Sequence, residues 1–179
     1  AFDIDPGARR RTLMQWEDSP LAVFDISELG NHLELADVIF NCVLWPKDRD
    51  DHLIFRRDLA KLRSTCVLVD ISCDPAGAIE TSRATTWDDP VYTEEGIRHF
   101  CVDNIPGAVP VTASAGYARD LFDNIRLIAK TGAIEACRQN EYLARGLTCS
   151  AGELILAEAG RVQNRPFVPV AEFLQRTSS

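Results

Sequence analysis

No glycine-rich dinucleotide turn occurs in this sequence. Its ten glycines never fall as G-x-G-x-x-G, the arrangement that follows the first strand of a complete dinucleotide-binding fold. Long hydrophobic runs are also missing. Stretches such as residues 67–69 fall far short of the roughly 20 apolar residues that cross a bilayer. The amino terminus, Ala1-Phe2-Asp3-Ile4-Asp5, shows neither a basic leader nor a cleavage pattern, so no signal peptide is visible. Positive charge is scarce: the formal net charge is −8, which argues against nucleic acid and anionic membrane as partners. No C-x-x-C pair and no His/Cys/Asp cluster has metal-ligand spacing, so no metal is expected. An initiator Met is missing as well, and a start upstream of Ala1 is expected.

What remains is ordinary globular material. The 179 residues, 46% hydrophobic and 26% charged, suffice for one domain with a sizeable core and are few for two full ones. Of the six cysteines, four lie in or beside apolar runs, the pattern of reduced, packed thiols. A reducing, cytoplasmic setting is expected.

Strand and helix signals alternate along the first hundred residues. Residues 2–4 read as the end of a strand, and Pro6 opens a basic helix to about Trp16. Residues 21–24 are a weak strand candidate, and Ser27 is placed to cap a helix to about Leu35. Residues 37–44 form a strong strand, stopped by Pro46 and the mixed-charge run 47–51, which reads as a solvated loop. Residues 56–62 are helical in pattern. The run 66–73 is apolar on both faces, as in a buried parallel strand, and residues 96–102 form another strand. Helices follow from Tyr117, with Leu121, Ile125 and Ile128 on one face. Residues 134–144 form a second helix, and a loose tail closes the chain. Strands separated by helices imply parallel βαβ units.

The strand 66–73 ends on Asp74, and a Gly77-bearing loop runs on to Arg83. A carboxylate at the carboxyl end of such a strand sits where open α/β sheets bind ligands. Likewise Phe2-Asp3-Ile4-Asp5-Pro6 looks like the end of the second strand of a dinucleotide-binding fold, where an acid accepts the ribose hydroxyls. The fold expected is therefore α/β: a Rossmann-like parallel sheet lacking its first strand and glycine-rich turn, followed by carboxyl-terminal helices. Residues 1–110 would be a partial dinucleotide-binding domain and residues 111–179 helices and tail packing on it. The chain would be the later part of a longer protein.

Three segments carry a family resemblance: residues 37–44; residues 69–90, with Glu80-Thr81-Ser82-Arg83-Ala84-Thr85-Thr86 and Asp89-Pro90; and residues 96–110. They resemble the alanine dehydrogenase and pyridine nucleotide transhydrogenase superfamily. The resemblance implies an NAD(P)-dependent oxidoreductase acting on a C–N bond, with NAD as cofactor and NADP as the alternative. It implies pyruvate, an amino acid or an amine as substrate, and assembly as a homo-oligomer. It puts Asp74 by the nicotinamide and substrate as the catalytic residue, with Asn104 beside it. Asp3 would hold the ribose, and Val43, Leu44, Ile71 and Ile105 would join Asn104 in lining the cofactor cleft. The loop 45–54 and Val162-Gln163-Asn164-Arg165 are more similar to N5-(carboxyethyl)ornithine synthase, which condenses pyruvate reductively with a side-chain amine. Asn104-Ile105-Pro106 leans toward alanine dehydrogenase.

Each candidate has a plainer reading. Asp74 fits a carboxylate capping its own turn, and Asn104 a turn-forming amide. Asp3 would be a surface acid if no glycine-rich turn precedes it. His52 is a candidate proton donor or substrate contact in a charged loop, where a solvated or structural histidine is commoner. Glu80 and Arg83 would bond each other or meet a neighbouring subunit. Cys73 has no basic partner in sequence and reads as a packed thiol. A non-catalytic cofactor-binding remnant is the alternative of a different class. As an acid, Asp3 disfavours a 2′-phosphate, whereas the nearby Arg9, Arg10 and Arg11 would admit one.

Overall fold

The computed structural model describes residues 1–46 and 49–177. Lys47 and Asp48 of the charged run, with Ser178 and Ser179, lie outside the described residues. Two compact units divide the chain. One comprises Ala1–Leu44 and Asp51–Asp103, and the other the described part of 45–50 and the chain from Asn104 onward.

The first unit opens with β1 (Phe2–Asp3). Asp5 then caps α1 (Pro6–Gln15), accepting the Gly7 and Ala8 N–H groups at 2.8 and 3.1 Å. Pro6, which has no N–H to leave unsatisfied, takes the first turn. β2 (Phe24–Asp25) runs parallel to β1, Phe2 opposite Phe24 and Asp3 opposite Asp25. The two phenyl rings stack at 5.5 Å. The expected Ser27 cap is corrected. Asp25 caps instead, accepting Ser27 N–H at 3.0 Å, while Glu28 reaches back to the Asp25 N–H, a reciprocal capping box. The helix it starts is 3₁₀, over Ile26–Asn31.

The main sheet contains β3 (Val38–Asn41), β4 (Val67–Asp70), β5 (Val91–Glu94) and β6 (Ile97–Phe100) in the order β3-β4-β6-β5. β3, β4 and β6 are parallel, and β5 is antiparallel to β6. β1 and β2 form a separate two-stranded parallel sheet. The fold is of the α/β class expected, with mostly parallel, Rossmann-like strands followed by carboxyl-terminal helices.

Both long strands are shorter than their apolar runs. β4 stops at Asp70 because that carboxyl accepts the Ser72 N–H at 3.0 Å, which takes the backbone out of the ladder. β5 is a strand the sequence reading missed. It turns into β6 through Glu95 and Gly96, both at positive φ (49° and 81°), the geometry of a tight two-residue hairpin. Residues 56–62 form a 3₁₀ helix, Arg56–Lys61, rather than an α-helix. The core joins Leu33, Ile54, Leu59, Leu62, Leu68, Ile79 and Ile97, with the Cys66 thiol among them.

In the second unit, α2 (Pro110–Thr131) starts well before Tyr117, again with proline in its first turn. Its expected apolar face is not buried: Ile125 is 58% exposed. The expected helix over 134–144 is two, α3 (Ala133–Gln139) and α4 (Glu141–Gly146), because Asn140 leaves the helical region and caps α4 with its side chain. A second hairpin, β7 (Cys149–Ser150) and β8 (Glu153–Leu154), follows. The tail is not loose. It forms α5 (Ala157–Val162) and α6 (Val170–Arg176), with Phe173 buried and Arg138 bonded to the Leu174 carbonyl at 3.1 Å.

Candidate functional site

Asn41 and Asp70 are register partners at the carboxyl ends of β3 and β4. Both side chains are buried, Asp70 completely. Asp70 Oδ1 accepts Asn41 Nδ2–H at 2.8 Å and Ser72 N–H at 3.0 Å, and Oδ2 accepts the Ser82 hydroxyl at 2.5 Å. Asn41 Oδ1 in turn accepts the Val43 N–H at 3.2 Å. A buried carboxyl is tolerated only when its acceptors are filled, and three donors fill this one.

Just past these strand ends the surface turns apolar and open. Val43 is 36% exposed, Leu44 84% and Ile71 47%. Exposed aliphatic side chains grouped at the carboxyl edge of parallel strands make a floor for a flat ligand. Asp74 begins the loop beside them. It is half-buried; its N–H donates to Ser72 O at 2.7 Å, and its carbonyl accepts Gly77 N–H at 3.0 Å. The turn is tight enough that a Cβ on Gly77 would meet Asp74 O at 2.9 Å.

His52 belongs to the same neighbourhood. Its Nδ1 lies 2.7 Å from Gly77 O, so Nδ1 carries the proton and donates, and its ring stands edge-on to Phe55. The structure thus ties His52 to the loop of Asp74. Backbone bonds of Leu53 and Ile54 to Ala78 O, and of Glu80 to Ile54 O, fasten the same loop further along.

Asp3 ends β1, where its carboxylate accepts the Asp5 N–H at 2.8 Å. Arg9 donates to Asp3 O at 2.6 Å and pairs with Asp25 at 2.7 Å. Arg11 lies 3.5 Å from Asp5. The Gly7 N–H holds the Asp5 carboxyl below the ordinary carboxylate range, and the Ser27 hydroxyl does the same for Asp25. Asn104 and Ile105 fall in the second unit. There Asn104 Oδ1 accepts the Gly107 N–H at 3.1 Å and caps the 3₁₀ turn Ile105–Ala108, in which Ile105 is half-buried.

Contacts bear on two further expectations. Glu80 and Arg83 do not pair: Glu80 accepts the Arg56 N–H at 2.7 Å, and the Arg83 guanidinium lies 3.9 Å from the centre of the Tyr92 ring. Cys73 is a packed thiol. It is buried, donates to Cys101 O at 3.2 Å, and burial pushes its pKa up to about 11. Among the described residues no group of His, Cys, Asp and Glu is placed to hold a metal ion, and no helix is long and apolar enough to cross a membrane.

Sequence reasoning missed Asn41, Asp70 and Ser82. A carboxylate inside an otherwise apolar strand run was the available signal, since buried acids need dedicated partners.

The family model described as "Alanine dehydrogenase/PNT, C-terminal domain" matches residues 2–157. Alanine dehydrogenase 1 of Staphylococcus aureus (strain Mu50) is 37% identical over 126 residues, which is 70% of this chain and 34% of that protein. A solved L-alanine dehydrogenase superposes with a TM-score of 0.71 at 27% identity, covering 91% of this chain and 45% of the other. A transhydrogenase from Sinorhizobium meliloti shares the fold, with a TM-score of 0.54 at 24% identity over 68% of this chain and 34% of that one. The chain spans about a third of the length of the curated relatives it matches.

Proposed function

This chain belongs to the alanine dehydrogenase/PNT C-terminal domain family, and from that premise we propose that it forms the dinucleotide-binding part of an NAD-dependent alanine dehydrogenase. The observation that carries the reading is the carboxyl edge of β3 and β4, where exposed Val43 and Leu44 follow β3, and exposed Ile71, then Asp74, follow β4.

The residues fit NAD in part. Val43, Leu44 and Ile71 would pack against its flat portions, and Asp3 would accept the ribose hydroxyls. NAD is favoured over NADP, because Asp3 repels a 2′-phosphate and two of the three neighbouring arginines, Arg9 and Arg11, are engaged by Asp25 and Asp5.

The proposed reaction converts L-alanine, NAD⁺ and water to pyruvate, ammonium, NADH and a proton. NAD⁺ supplies the hydride acceptor. The chain's own task is orientation and proton handling: the Asp74 carboxylate would hold the substrate amine and polarise the water that hydrolyses the imine carbon. His52 would hold the Asp74 loop through Gly77 and present its remaining ring nitrogen toward substrate.

The loop 45–54 and residues 162–165 favour a second reading, reductive condensation of pyruvate with a side-chain amine. Pyruvate-dependent NADH oxidation by the full-length protein decides between them. Turnover with ammonia supports the alanine reaction. Turnover with ornithine or lysine alone overturns it in favour of the condensation. NADH binding without turnover on any amine leaves a cofactor-binding remnant.

A further inference from the structure

We propose that the buried Asp70 carboxyl is the positioning residue of the reaction centre, fixing both ends of the loop that carries Asp74. The inference rests on the assignment of Asp74 to that centre.

Three observations carry it. First, Asp70 is fully buried, and among the described residues no cation pairs with it. A buried carboxyl of this kind is costly beside an apolar residue of similar size, and the β-ladder does not need its side chain. Second, its three donors come from the segments that form the cleft. Ser72 precedes Asp74, Ser82 closes the far end of the loop, and Asn41 ends β3, where it also fixes the Val43 N–H. Third, the rest of the loop is held from the side by His52 on Gly77 and by the 53–54 backbone on Ala78. Residues 74–76 form its tip, with Pro75 and Ala76 exposed and Ala76 at a φ of 55°. One carboxyl therefore links the apolar floor at Val43 to the acid at Asp74, across two strands and both loop ends.

The test uses the full-length protein with Ser82→Ala, which deletes one donor and leaves Asn41 and Ser72 in place, and with Ser82→Thr, which keeps a hydroxyl. Hydrogen exchange over residues 73–78 is expected to quicken about tenfold in Ser82→Ala while β4 and β6 keep their protection. The kcat for alanine oxidation is expected to fall about tenfold with the KM for NAD within about twofold. Ser82→Thr is expected to restore both. Asp70→Asn, in which the group facing Ser82 becomes an NH₂ that no longer accepts the hydroxyl, is expected to quicken exchange over residues 73–78 and to lower kcat in the same direction as Ser82→Ala. Unchanged loop exchange in Ser82→Ala, or failure of Ser82→Thr to restore it, overturns the proposal. So do loop exchange and kcat at wild-type levels in Asp70→Asn. If wild-type protein does not turn over alanine, the functional reading fails, and the exchange data alone still decide whether Asp70 fixes the loop.

Discussion

Asn41 Nδ2 donates to Asp70 Oδ1 at 2.8 Å, joining the register partners that end β3 and β4. The bond makes a polar seam at the edge of an apolar sheet, and it sits where the chain leaves the ladder to form the cleft. Asn41→Leu would leave Asp70 short of one donor and Val43 N–H short of its acceptor. The expected loss is about 1–3 kcal/mol of stability, read as a lower urea midpoint with an unchanged slope.

His99 is expected to set a pH dependence of stability. It is fully buried, with Nδ1 2.9 Å from Ile97 O and Nε2 2.9 Å from the Thr81 hydroxyl. The carbonyl accepts from Nδ1–H, and the hydroxyl donates to Nε2, so both nitrogens are filled in the neutral ring. Burial pushes its pKa below the ordinary 6.5. Above 6.5 folded and unfolded chains are both neutral at this residue. As pH falls below 6.5 the unfolded chain takes up a proton first, so stability declines until pH passes the folded-state value. Urea midpoints from pH 8 to 5 should fall more steeply for wild type than for His99→Gln.

Cysteine reactivity offers a third check on the packing. Cys42 and Cys149 are exposed, whereas Cys66, Cys73, Cys101 and Cys137 are buried. Burial raises the thiol pKa at Cys66, Cys73 and Cys137, which lowers the thiolate fraction that reacts. Brief iodoacetamide treatment of native protein at pH 8 should modify Cys42 and Cys149 alone by peptide mass spectrometry. Early modification of Cys73 would contradict its placement.

The parallel sheet was legible because residues 37–44 and 66–73 are apolar runs of strand length separated by a helical pattern. What escaped were short elements whose signal is conformational. The Glu95-Gly96 and Ala151-Gly152 hairpins place Glu95 and Ala151 at positive φ, which neither residue type advertises as Asn or Asp would. The ends of α2 and α3 were displaced because Pro110 and Asn140 set caps that apolar periodicity does not register. At the candidate site Asp74 was marked by its position after a strand, and Val43 and Leu44 by the family resemblance. Asn41, Asp70 and Ser82 were not, because their partnership spans chain separations that no local pattern encodes.

The most direct test of the account is the Asp74→Asn variant of the full-length protein, assayed for alanine oxidation alongside NADH titration of its intrinsic fluorescence. The exchange removes the carboxylate's proton chemistry while keeping its shape. The account predicts a kcat lower by about 10²–10⁴-fold, with NADH affinity within about twofold of wild type. Undiminished turnover in Asp74→Asn would contradict it.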